Sequence, residues 1–333
     1  MSKSRILGWS LLAFIIYCTL GAVVYFASLL ALQKGVLIDM PWFAATQKSL
    51  YRKGIGYSRK NWIAQPECIA PDPDLIYVPA IGSCRFEDIE FKTTLNFDET
   101  GRHTGPRPAG AGIAVIGDSH AMGWGVNDEE TFAAHLQTLS KRPVFNLGVA
   151  SYGTARELLR LEKSGLLNRV DTIILQYCNN DLGENLKFDT ASKQELRDRI
   201  FGRNAAPATQ QQTGRLAFIA KGYGLALAAP FRALSERLRR KDFTRHYEAL
   251  IGILARHGDK LNGKRVIVFY SNTYGQKFRN YPEGQDARLP NVYFVDPGMS
   301  RSDYHELDDH LTPEGHRKVA EYLYSHLHAP DAD

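Results

Sequence analysis

Residues 113–120 read Ile-Ala-Val-Ile-Gly-Asp-Ser-His, and the rest of the chain is best interpreted outward from this stretch. Four consecutive apolar residues predict a buried strand, and the Gly-Asp-Ser that follows predicts a sharp turn into a helix. Such a turn places the hydroxyl of Ser119 at the C-terminal edge of a sheet, where open α/β sheets bind their ligands. A serine there becomes a nucleophile when a histidine can take its proton and hydrogen-bond donors can receive an oxyanion.

The segments after this stretch alternate between strand-like and helix-like patterns, as an α/β fold requires. The apolar runs at 173–175 and 266–269 are continuous, which is typical of parallel strands buried on both faces. We therefore predict a three-layer α/β/α domain with a mostly parallel sheet. The predicted strands are 113–117, 143–147, 171–177, 264–270 and 291–295, and the predicted helices are 130–140, 154–164, 243–257 and 313–327.

The N-terminus has the composition of a membrane segment. Residues 6–32 contain no Asp, Glu, Lys or Arg, and an uncharged run of about 20 residues is long enough to cross a bilayer as a helix. We interpret residues 1–34 as an uncleaved anchor; a cleaved signal peptide and a buried helix are the alternatives. Lys3 and Arg5 precede the run and favour a cytoplasmic N-terminus. This predicts a single-pass protein of the inner membrane whose remaining chain is periplasmic.

Residues 35–110 form a second predicted segment, juxtamembrane and then β-rich, ahead of a catalytic domain at 111–333. Short β-like pieces at 75–78 and 91–97 are separated by prolines and glycine. Cys68 and Cys84 lie in this segment. A disulfide between them would suit an oxidising compartment, and two free thiols are the alternative.

Residues 184–241 break the alternation and are interpreted as an insertion into the catalytic domain. A Gln-rich piece at 209–213 precedes an apolar piece at 216–231 and a basic piece at 237–241. The insertion is expected to be a lid, a partner surface or a helix that touches the membrane. An ordinary helical excursion with a loop is the simpler alternative.

Charge and glycine spacing bear on other classes of function. The formal net charge is +5, but the basic residues are scattered and match no nucleic-acid-binding motif, so we expect no nucleic-acid partner. Gly148 and Gly153 lack the Gly-x-Gly-x-x-Gly spacing of a dinucleotide loop, and we expect no cofactor. The acids and histidines at 303–310 are an alternative metal site. We expect no metal, because Ser119 and Asn180 would have no role in it.

Three short motifs, in this order, resemble the SGNH (GDSL-like) hydrolase superfamily. They are Gly-Asp-Ser at 117–119, Asn180-Asp181 after a buried strand, and Asp308-Asp309-His310 before Leu-Thr-Pro-Glu-Gly-His. The resemblance covers roughly residue 112 to the C-terminus. It implies a membrane-anchored member of that superfamily.

The resemblance assigns roles in a Ser-His-Asp mechanism. Ser119 is the implied nucleophile, His310 its base, and Asp308 the acid that orients the imidazole. The family often has an aspartate three residues before the histidine, where this chain has Leu307. Because that usual position is not an acid here, the choice of acid stays open and Asp309 is kept as the alternative.

The resemblance also implies an oxyanion hole. Its donors would be the backbone N–H groups of Ser119 and Ser151 and the side-chain amide of Asn180. Relatives often have glycine where this chain has Ser151, and Gly148 is the other candidate on that loop. The family's glycine two residues before the asparagine is Cys178 here.

The implied activity is hydrolysis of an acyl ester, of esterase or deacetylase type, on an acylated glycan or lipid outside the cytoplasm. If a sugar hydroxyl instead of water resolved the acyl-enzyme, the same residues would make an O-acyltransferase. A membrane-protein partner that supplies the acyl group is then conceivable. A non-catalytic anchored module that binds a glycan or a partner is the third possibility, motivated by Leu307 and Cys178.

Overall fold

The computed structural model describes residues 3–55, 62–187, 195, 215–238, 242–271 and 278–327. The chain divides into two compact units: residues 1–60 with 206–239 form one, and residues 61–205 with 240–333 form the other. Each unit is described below by itself through its described residues.

The described helices and strands are numbered in chain order. The helices are α1 (Lys3–Gln33), α2 (Pro41–Arg52), α3 (Ser119–Met122), α4 (Phe132–Ser140), α5 (Thr154–Lys163), α6 (Asp181–Asn185), α7 (Arg215–Leu238), α8 (Thr244–Arg256), α9 (Gly258–Leu261) and α10 (Pro313–His326). The strands are β1 (Ile69–Asp72), β2 (Ile76–Pro79), β3 (Gly82–Glu87), β4 (Lys92–Asp98), β5 (Gly101–Arg102), β6 (Gly112–Ile116), β7 (Val144–Asn146), β8 (Val170–Tyr177), β9 (Arg265–Tyr270), β10 (Gly284–Gln285) and β11 (Val292–Val295).

The larger unit is built on a nine-stranded sheet with the order β10-β11-β9-β8-β6-β7-β5-β4-β3. The five strands from β11 to β7 run parallel, and the strands outside them pair antiparallel. Each of the five predicted strands and four predicted helices has its counterpart in this unit. The predicted α/β architecture is therefore confirmed.

Alternate residues of the central strands enter two different cores, as the period of two in a β-strand dictates. On one face Ile113 and Val115 of β6 lie in a cluster with Leu136 of α4 and Leu323 of α10. On the other face the alternate residues of β6, such as Ala114, cluster with apolar residues of α5 and α8. Helices thus cover both faces of the parallel strands, which explains why these strands read as continuous apolar runs.

The chain reverses direction across the sheet at β6. It first moves to β7 on one side of β6 and then returns to β8 on the other side. Ligands of open α/β sheets bind beyond the carboxyl ends of the strands at such a switch point. Ser119, which begins α3 directly after β6, lies at this position.

The β-rich residues after position 61 belong to the same sheet as the parallel strands. Arg102 of β5 pairs with Asn146 of β7, and β4 and β3 extend the sheet from there. Only β1 and β2, among the described strands, form a separate two-stranded sheet. Antiparallel pairing thus joins this segment to the parallel strands. A disulfide connects Cys68 and Cys84 within it.

The smaller unit contains α1, α2 and α7. α1 is the one described helix that is long and apolar enough to cross a membrane. Pro230 lies inside α7 and has no N–H for the carbonyl of Ala226 four residues earlier. Nε1 of Trp42 on α2 donates to that carbonyl at 2.8 Å instead. Tyr223 of α7 donates to the carbonyl of Cys18 on α1 at 2.9 Å.

The predicted insertion at 184–241 is described only in part. Residues 188–194, 196–214 and 239–241, which include the Gln-rich piece at 209–213, lie outside the described residues. The apolar piece at 216–231 is helical and belongs to α7. The structure groups α7 with the N-terminal helices and not with the sheet, because its apolar residues pack against theirs.

Candidate active site

The turn after β6 is shaped by a glycine and a helix cap. Gly117 has φ +149°, and a Cβ at this position would lie 2.7 Å from the Cβ of Ala121 and from Oε1 of Gln176. Asp118 caps α3 by accepting the backbone N–H of His120 at 2.9 Å. Only glycine fits the turn, and the cap starts the helix at Ser119.

Ser119, His310 and Asp308 form a hydrogen-bonded series. Nε2 of His310 lies 2.7 Å from Oγ of Ser119. Nδ1 of the same ring bonds Oδ1 of Asp308. Asp308 is only 3% exposed, so its hydrogen bond with the imidazole is shielded from solvent. A base that contacts a hydroxyl and is itself oriented by a carboxylate is the arrangement that activates a serine nucleophile.

The acid and the base lie on one closed loop. Tyr304 and Leu311 form an antiparallel bridge, and the N–H of His305 donates to the carbonyl of His310 at 2.8 Å. Directly after the loop, α10 begins at Pro313 with Thr312 as its cap, where the side chain accepts an N–H at 3.1 Å. This start of α10 agrees with the predicted one.

The alternative acid, Asp309, has a different environment from Asp308. Its backbone has φ +74°, and burial raises the pKa of its carboxyl to about 9. Leu307, where the family often has the aspartate, is 1% exposed and contributes an apolar side chain to the interior. The carboxylate that bonds His310 is that of Asp308.

The three predicted oxyanion donors follow neighbouring parallel strands. Ser119 follows β6, Ser151 lies beyond the end of β7, and Asn180 comes after β8. Because β7 and β8 flank β6 on its two sides, the carboxyl ends of these strands bring the three residues to one edge of the sheet.

Ser151 has the backbone conformation that normally favours glycine. Its φ is +65°, which explains why glycine serves well at such a position. Nη2 of the buried Arg156 donates to the carbonyl of Ser151 at 2.7 Å. The hydroxyl of Tyr77 donates to the neighbouring carbonyl of Ala150 at 2.6 Å. The loop is therefore held on its carbonyl side by two buried side chains.

The other two oxyanion candidates have partners of their own. The N–H of Gly148 donates to Oδ1 of Asn146 at 3.1 Å, so this group is already used within the loop. The side chain of Asn180 lies beside the carboxyl of Asp118. That carboxyl is fully buried, and burial raises its pKa.

One cluster beside the nucleophile has donor atoms suited to a metal ion. The donor atoms of Asp118, His120 and Cys178 all lie within 4.8 Å of one another. In the structure, Asp118 accepts the backbone N–H of His120, and Nδ1 of His120 lies 3.0 Å from Oγ of Ser271. Burial raises the pKa of the Cys178 thiol well above its usual range.

Two residues around the triad were not identified from the sequence. The indole of Trp124 stacks on the His310 ring with 5.1 Å between ring centroids. The carboxylate of Glu90 accepts hydrogen bonds from the backbone of the triad loop. Neither residue belongs to a motif, and both contacts join positions that are far apart in the chain. No pattern in the sequence could have identified them.

Comparisons with known proteins return only distant structural likenesses. No protein-family model matches the chain, and no curated protein matches it. Among solved structures, the chain resembles a lipolytic protein of the G-D-S-L family from Desulfitobacterium hafniense DCB-2, with 13% identity, 65% of this chain and 99% of that one covered, and a TM-score of 0.35.

Two carbohydrate esterases show likenesses of similar strength. One is a variant of an acetyl-xylooligosaccharide esterase from Geobacillus stearmophilus, with 12% identity, 68% of this chain and 98% of that one covered, and a TM-score of 0.35. The other is a family 2 carbohydrate esterase with a carbohydrate-binding domain from Corynascus thermopiles (Myceliophthora fergusii), with 12% identity, 69% of each chain covered and a TM-score of 0.38.

Proposed function

We propose that this protein is a serine acyl-ester hydrolase of the SGNH superfamily that uses Ser119, His310 and Asp308. The observation that carries the proposal is the continuous series from Oγ of Ser119 through both ring nitrogens of His310 to the Asp308 carboxylate. Hydrolysis of a glycosidic bond or transfer of a hydride requires other groups. A hydroxyl with a base on one side and a buried acid behind it is suited to acyl transfer.

The first half of the proposed reaction forms an acyl-enzyme. Oγ of Ser119 attacks the ester carbonyl while Nε2 of His310 takes its proton. The charged imidazole is stabilised by Asp308 at Nδ1. The tetrahedral oxyanion is received at the sheet edge by donors from Ser119, Ser151 and Asn180. Collapse of the intermediate expels the alcohol, which takes the proton from His310.

The second half regenerates the enzyme. Water enters the position of the departed alcohol and loses a proton to Nε2 of His310 as its oxygen attacks the acyl carbon. The same donors receive the second oxyanion. Oγ of Ser119 then leaves and recovers the proton, and the carboxylic acid product is released.

We further propose that α1 anchors the enzyme in the inner membrane with the sheet-containing unit on the periplasmic side, where it acts on an acylated glycan or lipid. Many apolar side chains of α1 are exposed, including Leu7, Trp9 and Phe14. An apolar helix surface of this kind is stable in contact with lipid tails. The Cys68–Cys84 disulfide supports an oxidising compartment. Protease protection in intact cells and in spheroplasts tests this orientation.

The catalytic proposal is tested by a fluorophosphonate probe on the full chain in detergent, with intact mass and peptide mapping as the readout. We expect a single adduct on Ser119 that is absent from Ser119→Ala and from His310→Ala. Ser325→Ala, on α10, is the matched control and should be labelled as the parent is. Release of acid from acetylated glycans and lipid esters then identifies the substrate class. A folded protein that forms no adduct would instead indicate a module that binds without catalysis.

A further inference from the structure

A turn of the N-terminal β hairpin reaches the loop that carries Asp308 and His310. Glu90 lies in the turn between β3 and β4. Its carboxylate accepts the backbone N–H groups of Glu306 at 2.7 Å, Leu307 at 2.8 Å and Asp308 at 2.8 Å. Three consecutive residues of one loop therefore donate to a single side chain from a distant part of the sequence.

This arrangement is suited to holding the loop in one conformation. Successive backbone N–H groups that converge form a concave site for an acceptor, and here three of them share the carboxyl of Glu90. Removing the carboxylate would leave three donors without this acceptor, and the loop would be free to find another conformation. The bridge between Tyr304 and Leu311 holds only the two ends of the loop.

The contacts continue from Glu90 to the nucleophile. Glu90 holds the backbone N–H of Asp308, the side chain of Asp308 bonds Nδ1 of His310, and Nε2 of His310 lies 2.7 Å from Oγ of Ser119. A shift of the loop would move the Asp308 carboxylate relative to the imidazole. The base would then lose its orientation even though Ser119 itself had not moved.

We propose that Glu90 is a positioning residue for the Asp308–His310 pair. The inference rests on the proposed hydrolase function and extends it by giving the N-terminal hairpin a part in catalysis. In this role Glu90 acts through the loop and not on the reacting atoms. Its carboxylate lies on the concave side of the loop and accepts three backbone N–H groups. These hydrogen bonds fix the loop, and with it the position from which Asp308 orients the imidazole of His310.

The test compares Glu90→Ala and Glu90→Gln with Glu87→Gln, an exposed carboxylate three residues away on the same hairpin. The full chain is used in detergent, with a soluble aryl acetate as substrate. Two readouts are taken: kcat and KM, and the proton resonance of the His310 Nδ1–H group, assigned by its loss in His310→Ala. We expect Glu90→Ala to lower kcat by about 100-fold with little change in KM, since misplacing a catalytic group by about 1 Å has effects of this size.

The resonance of His310 should shift or broaden in Glu90→Ala and remain in Glu87→Gln. Glu90→Gln, which keeps one carbonyl oxygen as acceptor, should lie between Glu90→Ala and the parent in both readouts. If Glu90→Ala does not fold, Glu90→Gln carries the test with the same criteria. A kcat within about threefold of the parent would overturn the proposal. A lower kcat with an unchanged His310 resonance would overturn it as well.

A failure of the proposed function looks different from a failure of this inference. A parent protein that hydrolyses no ester and forms no fluorophosphonate adduct would overturn the hydrolase assignment. The His310 resonance does not depend on turnover, and its response to Glu90→Ala would still decide whether Glu90 holds the pair.

Discussion

The Nε2 atom of His310 lies 2.7 Å from the Oγ atom of Ser119, although the two residues are 191 positions apart in the chain. Ser119 follows the first strand of the parallel block, and His310 comes just before the last described helix. The strands β7 to β11 all lie between nucleophile and base in the chain.

The two adjacent acids provide a matched pair for testing the triad. Asp308→Asn should lower kcat by about 100-fold or more, because the amide no longer stabilises the charged imidazole and can reverse the ring's hydrogen-bond polarity. Asp309→Asn should leave kcat within about twofold, because the carboxylate on Nδ1 of His310 is that of Asp308, and asparagine tolerates the φ of +74° at position 309. Steady-state kinetics on an aryl acetate measures both. Equal losses in the two variants would contradict the assignment of Asp308.

Ser151 should be replaceable by glycine. Its φ of +65° costs a non-glycine residue roughly 1 kcal/mol, so Ser151→Gly is expected to be as stable as the parent or slightly more so. Its kcat should be retained, since the proposed oxyanion donor is a backbone N–H. Ser151→Val should lower both the melting temperature and kcat, because a β-branched side chain resists this conformation. A loss of activity in Ser151→Gly would show that the hydroxyl is needed.

Glu157 should make stability depend on pH. It is 1% exposed and neither of its carboxylate oxygens has a hydrogen-bond partner, and burial raises its pKa well above the usual range. The protonated form is therefore favoured in the folded state. Its contribution to stability is fully present below the unfolded pKa of about 4.3 and is lost as the pH rises through the folded pKa.

Glu157→Gln removes this dependence. The melting temperature of the variant should rise relative to that of the parent as the pH goes from 5 towards 8. Thermal unfolding at several pH values gives the result. A difference that stays constant over this range would mean that Glu157 does not titrate as described.

The disulfide should stabilise the folded protein measurably. Cys68 and Cys84 are 16 positions apart, and a cross-link that closes a loop of this length is worth about 3 kcal/mol in the chain-entropy account. The Cys68→Ser/Cys84→Ser double variant should unfold at a lower urea concentration than the parent. Dithiothreitol should destabilise the parent and leave the double variant unchanged. If the reductant acts equally on both proteins, the loss does not come from this disulfide.

Local patterns in the sequence were sufficient to predict the parallel strands, the helices around them and the turn that presents Ser119. Apolar runs, the Gly-Asp-Ser turn and the Thr312–Pro313 helix start act over a few residues, where backbone geometry and burial dominate. The order of the three motifs also predicted which residues would meet. The resemblance favoured Asp308 over Asp309, and the contact with Nδ1 of His310 is made by Asp308.

Tertiary structure decided the rest because it depends on pairings between distant residues. The hairpin joins the main sheet through Arg102 and Asn146, and Glu90 then reaches the backbone beside Asp308. Ser151 takes the left-handed conformation in a loop whose carbonyls are held by buried side chains from elsewhere. Such contacts have no periodicity and no fixed spacing. They arise only when the packed strands bring those backbone groups together.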